Sequence, residues 1–113
     1  MKEIKAIMQP FLISKVVEAL KLIPGLPGVT VSDVRGFGRA QAVGAVNTVA
    51  EGAVEYVKKS KLEVVVPDEM AEKVVEAIQR NAHTGNAGDG KIFVYRVDDV
   101  VRIRTGEHGD SAI

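Results

Sequence analysis

The stretch Thr84-Gly85-Asn86-Ala87-Gly88-Asp89-Gly90-Lys91 limits the folds open to this chain more than any other. Four of its first seven positions are Gly or Ala, and it passes at once into the β-formers Ile92-Phe93-Val94-Tyr95. Glycines let a backbone approach a ligand closely and adopt positive φ, so that successive N–H groups can converge on an anion. Lys91 closes the loop with a point charge, which suits it to phosphate. Gly85, four residues, Gly90 and Lys91 satisfy most of a Walker A loop. The hydroxyl residue that would ligate Mg²⁺ is replaced by Ile92, and a Walker loop opens a helix rather than a strand. A P-loop NTPase is therefore excluded. Two readings remain: a phosphate-cradling loop on another fold, or a glycine-rich turn from helix to strand.

A chain of 113 residues suits one domain around one core. Its apolar fraction of 46% and charged fraction of 27% are those of an ordinary globular protein. The formal net charge is zero, which argues against nucleic-acid binding through a broad basic face. With no cysteine there is neither a disulfide framework nor thiolate chemistry. Met1-Lys2-Glu3-Ile4-Lys5 enters a strand pattern without a signal-peptide core, and no apolar run approaches a membrane span. A cytoplasmic location is the expectation.

Alternation at Ile4, Ala6 and Met8 predicts a first strand that stops near Pro10. Ser14 is placed to cap a helix whose apolar positions are Ile13, Val16, Val17, Leu20 and Ile23. Pro24-Gly25-Leu26-Pro27-Gly28 makes a turn into a second strand over Val29–Val34, which closes with Arg35-Gly36-Phe37-Gly38-Arg39. From Ala40 to about Val57 periodicity is lost. A long loop is expected there, with a helix over Ala45–Val57 as the alternative, weakened by Gly52. Leu62–Val66 reads as a third strand. Asp68 is placed to cap a helix carrying Met70, Val74, Val75 and Ile78. Ile92–Val97 reads as a fourth strand, and Val100–Arg104 as a short fifth.

The order is βαβ, long loop, βαβ, and Lys15-Val16-Val17-Glu18-Ala19-Leu20 echoes in Lys73-Val74-Val75-Glu76-Ala77-Ile78. This predicts an α+β, ferredoxin-like βαββαβ sandwich: a four-stranded antiparallel sheet with two helices on one face. Apolar residues on both faces of several strands, such as Ile7 beside Ala6 and Met8, or Val64-Val65-Val66, predict self-association into a cyclic oligomer, a trimer foremost.

Arg102 and Arg104 are two apart, so an extended segment would present both guanidiniums on one face, where an anion between them relieves their repulsion. The alternative is a solvated edge. With Lys91 and Arg39 they supply four cations, enough to match a nucleoside triphosphate if the fold brings them together. Gly36-Phe37-Gly38-Arg39 reads either as backbone contact with a base or phosphate, or as a tight bend leaving a strand. His83 and His108 stand outside metal-ligand spacing, and Glu51 and Glu55 read as a solvated pair, so no metal site is expected. No Ser-His-Asp or paired-carboxylate arrangement stands out, so the chain is not expected to be an enzyme; a slow ATPase is the minor alternative.

Taken together, Thr84-x-x-x-Gly88-Asp89-Gly90-Lys91-Ile92-Phe93-Val94-x-x-Val97, Val101-Arg102-Ile103-Arg104-Thr105-Gly106-Glu107 and Val34-Arg35-Gly36-Phe37-Gly38-Arg39 resemble the PII signal-transduction family of nitrogen regulators, over nearly the whole chain. The resemblance implies one PII-like domain over 1–113, with a T-loop at about 40–59 and a C-terminal loop at about 102–113. It implies a homotrimer holding ATP or ADP in the clefts between subunits. Gly88, Asp89, Gly90, Lys91, Arg39, Arg102 and Arg104 would hold phosphates, some from the neighbouring subunit. Ile7, Thr30, Gly36, Phe37, Gly38, Glu63 and Val65 would line base and ribose. The T-loop would dock onto a regulated partner, a transporter, enzyme or regulator; membrane recruitment would come through a transporter partner.

Departures from the family fall in that loop. Gly52 aligns with the family's uridylylated tyrosine, and Tyr56 could replace it only after a shift of several residues, so no uridylylation is expected. Ala40 aligns with the glutamine that helps ligate Mg²⁺ and 2-oxoglutarate; Gln41 is adjacent but aimed elsewhere, while the effector lysine is retained as Lys59. Losing that oxygen removes a metal ligand, so Mg²⁺ and 2-oxoglutarate responses are expected to be altered or absent. The alternative role is a PII-like regulator turned from nitrogen control to metal efflux or inorganic-carbon uptake.

Overall fold

A computed structural model describes residues 1–38, 48–51 and 54–113. The elements are β1 (Lys2–Met8), α1 (Ile13–Lys21), β2 (Thr30–Gly36), β3 (Thr48–Glu51), β4 (Val54–Val66), α2 (Asp68–Ala82) and β5 (Gly90–Arg96). The main sheet runs β2-β4-β1-β5 with every pair antiparallel, the strand order of a ferredoxin-like βαββαβ unit, and short β3 adds to the end of β4.

The alternation in β1 sets the two faces of the sheet. Ile4, Ala6 and Met8 are buried, as are their neighbours Leu62, Val64 and Val66 on β4. The helices cover that face with Val16 and Leu20 from α1 and Ala71, Val74, Ala77 and Ile78 from α2. Burying one of the larger of these side chains contributes about 1.5–3 kcal/mol. The echoed hexapeptides lie in equivalent helices: Val16 and Val74 are both completely buried, and both fall at the second position of the repeat.

The opposite face is mixed rather than apolar throughout, which corrects the expectation of a sheet apolar on both sides. Register places Thr30, Glu63, Lys5 and Phe93 in one row across β2, β4, β1 and β5, and Ser32, Lys61, Ile7 and Lys91 in the next. Lys5 Nζ sits over the stacked rings of Phe93 and Tyr95, 5.3 and 4.9 Å from their centroids. Tyr95 raises the Lys5 ammonium above its ordinary pKa.

Four local expectations are corrected. Ser14 lies inside α1, because Pro10 starts a one-turn 3₁₀ helix that runs straight into it. Asp68 is the first residue of α2, preceded by Pro67 at the cap, and its carboxylate pairs with the Met1 amine at 2.9 Å instead of a helix N–H. That amine holds the Asp68 carboxyl below its ordinary range. Residues 54–59 belong to strand rather than loop or helix: β4 has 13 residues, and Val57 pairs with both Gly36 and Thr48. The segment 100–104 is no strand. Among the described residues only Val101 of this segment pairs, with His108, and residues 103–105 form a turn.

Candidate functional site

The glycine-rich loop joins α2 to β5 and is held by its own carboxylate. Asp89 accepts hydrogen bonds from the backbone N–H groups of Thr84 (2.8 Å) and Gly85 (2.9 Å) and from the Thr84 hydroxyl. The Thr84 hydroxyl and then its N–H keep the Asp89 carboxyl below its ordinary pKa. Two of the loop's amides are thus spent on Asp89, whose role in this geometry is to shape the loop from within. The loop ends at Gly90, where the backbone has φ +103° and a Cβ would lie 1.8 Å from the Ile7 carbonyl oxygen. Glycine is required there by the chain's own packing, since β5 starts directly against Met8.

Lys91 follows on the open face beside Ile7 and has no hydrogen-bond or ion-pair partner among the described residues. Lys59, on β4, donates to the Gly88 carbonyl and so ties that strand to the glycine loop. Burial lowers the Lys59 ammonium pKa, with the Asp89 charge acting the other way. Gly36 and Gly38 end β2 near the same end of the sheet. A Cβ at either would meet nothing within 4 Å among the described residues. Phe37 between them is 73% exposed.

The other predicted residues gather elsewhere. Thr30, Glu63 and Val65 line an open hollow of about 420 Å³ together with Glu3, Pro27, Gly28 and Ile113. Arg102 joins this group through its Nη2, which donates to the Ile113 backbone oxygen at 3.2 Å, while Nη1 lies 3.6 Å from Glu107. Thr30 and Gly36 stand at opposite ends of β2, about 20 Å apart, and Thr30 and Lys91 are separated by two intervening strands, about 14 Å across the sheet. One chain therefore carries two groups, which approach each other only where Ile7 and Glu63 lie in adjacent rows on neighbouring strands: Ile7, Gly36, Phe37, Gly38, Lys59, Gly88, Asp89, Gly90 and Lys91 in the first, and Thr30, Glu63, Val65 and Arg102 in the second.

The C-terminal segment does not present Arg102 and Arg104 on one strand face. Arg102 N–H donates to Glu107 O (2.9 Å) and Gly106 N–H to Arg102 O (2.8 Å), closing a hairpin with Arg104 exposed at its tip beside fully exposed Ile103. Its base is clamped by Asp99, which accepts from Val100 N–H (2.9 Å) and Gly109 N–H (3.2 Å) and lies 2.6 Å from His108 Nδ1. His108 is the main reason that the Asp99 carboxyl sits below its ordinary pKa. The expectations for Arg39, Gln41, Ala40 and Gly52 fall outside the described residues. Among the described residues no cluster of His, Cys, Asp or Glu could hold a metal, and no helix is long and apolar enough to cross a membrane. Sequence reasoning missed the Asp99–His108 clamp and the part Ile113 plays in the hollow; eight intervening residues and a hairpin separate the clamp's members, so no local spacing marks them.

The sequence model of the family described as Nitrogen regulatory protein P-II matches residues 1–107. The chain belongs to that family. Curated relatives named Nitrogen regulatory protein P-II include those of Azospirillum brasilense, 50% identical, and Rhodospirillum rubrum, 48% identical. Nitrogen regulatory protein P-II 1 of Escherichia coli (strain K12) is also 48% identical. Each alignment covers 100% of both chains. The P-II assignment agrees with the strand order and with the glycine loop opening β5, and it places this chain among regulators.

Proposed function

We propose that this P-II family member is a non-enzymatic adenine-nucleotide sensor that assembles as a homotrimer and regulates a partner through residues 40–59. The observation that carries the reading is the separation of its candidate residues into two half-sites. Lys91, Gly88, Gly90 and the strand-end glycines offer cation, amides and room at one end of the sheet; Thr30, Glu63, Val65 and Arg102 line a hollow elsewhere. Neither half closes around a nucleotide alone, and a ring of identical chains brings the first half of one subunit against the second half of the next. The open face supports such a ring, since Phe93 and Tyr95 remain 38% and 43% exposed there.

In the assembled cleft the nucleotide is ATP or ADP, with Lys91, Arg39, Arg102 and Arg104 meeting its phosphates by charge. Ile7, Gly36, Phe37, Gly38, Thr30, Glu63 and Val65 lie against base and ribose. Lys59 already bridges to Gly88, so a ligand at the glycine loop and the strand leading from the T-loop act on the same contact. Phosphoryl transfer is not part of the reading, because Ile92 stands where a Mg²⁺-binding hydroxyl would follow Lys91. Gly52 and Ala40 favour a partner and effector different from those of the tyrosine-bearing members, such as a metal or inorganic-carbon transporter at the membrane.

Isothermal calorimetry with ATP and with ADP tests the proposal. Saturable binding that is weakened at least tenfold by Lys91→Ala is the expected result. Absence of heat from both nucleotides at millimolar concentration ends it. Affinity capture with and without ATP then identifies the partner.

A further inference from the structure

The segment 109–113 borders one of the two half-sites and engages its arginine in the free chain. Gly109–Ala112 forms a 3₁₀ turn and Ala112 is buried, which brings Ile113 back to the wall of the hollow that Thr30, Glu63 and Val65 also line. There the Ile113 backbone oxygen takes a hydrogen bond from Arg102 Nη2 at 3.2 Å, and Glu107 holds the other terminal nitrogen at 3.6 Å. The two terminal nitrogens of a guanidinium are the pair that grips a phosphate side-on. Both already face acceptors supplied by the chain downstream of Arg102.

The fastenings of this segment are unequal. Upstream, Asp99 fixes Gly109 N–H and lies against His108. Downstream there is one buried alanine, the Ser111 hydroxyl on His108 O (3.2 Å), and the Ile113 contact. A single 3₁₀ turn with its poor internal hydrogen bonds adds little. Gly109 lies between the two regimes with φ +79°, a conformation open to glycine and strained for other residues. The segment is thus built to pivot at Gly109 while the hairpin behind it stays clamped.

We propose that residues 109–113 are an intramolecular gate: the Ile113 backbone oxygen occupies Arg102 beside the hollow that Ile113 helps to line, and a polyphosphate ligand must lift the segment about Gly109 to reach the guanidinium. This inference rests on the nucleotide reading above. The gate lowers affinity in proportion to the work of displacing it, and by holding Arg102 in the free chain it sets a threshold for ligand concentration.

The test compares the full chain with a chain ending at Asp110, which keeps Asp99, Arg102, Glu107 and His108. ATP affinity is measured by calorimetry. Loss of one partly buried hydrogen bond to a charged donor predicts about ten- to hundredfold tighter binding by the shortened chain. In the full chain, saturating ATP should also quicken backbone amide exchange over residues 111–113. Equal or weaker ATP binding by the shortened chain, or slower exchange over 111–113 in the full chain with ATP, overturns the gate and leaves the nucleotide reading standing. Binding by neither chain overturns both.

Discussion

Replacing Gly90 with alanine should damage this protein more than the same change at Gly25, Gly28, Gly85, Gly106 or Gly109. The added Cβ would stand 1.8 Å from the Ile7 carbonyl oxygen, 2.8 Å from its carbon and 3.2 Å from Met8 Cα, all backbone atoms that cannot rotate away. Relief requires β1 and β5 to part by more than an ångström at the point where Met8 pairs with Gly90. Holding alanine at φ +103° costs about 1–2 kcal/mol. Losing the adjacent ladder bonds costs about 1 kcal/mol each. Together these predict a loss of about 3–5 kcal/mol, a large part of a small domain's stability of about 5–15 kcal/mol. Urea unfolding at fixed protomer concentration measures it, with Gly28→Ala as the control, because a Cβ at Gly28 meets nothing within 4 Å. The control should shift by no more than about 1 kcal/mol in either direction. Equal midpoints for the two variants would refute the close-approach argument.

Leu62→Ala, which empties a completely buried position at the centre of the sheet, should cost about 2–5 kcal/mol in the same urea assay, and a loss under about 1 kcal/mol would contradict the core assignment. The Asp89 carboxyl is depressed in the folded state, so its contribution to loop order is present above the ordinary aspartate pKa of about 3.9 and is lost as pH falls through the lower folded value. The amide NMR shifts of Thr84 and Gly85 should therefore titrate with a midpoint below about 3.9, and a midpoint above it would refute the staple role. Lys59→Ala should speed amide exchange at residues 88–91 while moving the urea midpoint little, since it removes a single partly exposed contact; unchanged exchange would show that the Lys59–Gly88 link does not steady the loop.

The elements that bury a stripe were legible from their spacing alone. Ile4, Ala6 and Met8, Val16 and Leu20, and Val74 and Ile78 repeat at the period of the element that contains them, and each lies in the core. The glycine loop was legible as a helix-to-strand connection because its glycine-rich run passes at once into the β-formers Ile92-Phe93-Val94-Tyr95. What failed had a local reading overridden by contacts from far along the chain. Ser14 and Asp68 had the right residue type for caps, but prolines at 10 and 67 fixed where the helices begin. Residues 54–59 lack a clean period because β4 runs past the end of β1 and pairs there with β3. Arg102 and Arg104 alternate as a strand would, yet the Gly106 turn and the Asp99 clamp fold the segment on itself, so their shared face never forms. The division of the site into two groups was beyond any local pattern, because it follows from the order β2-β4-β1-β5.

The central claim is that the nucleotide site is completed only between chains, and a mixed assembly tests it most directly. Lys91→Ala disables the first half-site and Arg102→Ala the second, so each variant alone should bind ATP weakly in calorimetry. Unfolded and refolded together in equal amounts, they should regain parental affinity in about a quarter of the clefts, those where an intact first half meets an intact second half. Mixtures that bind no better than the separate variants would contradict the account.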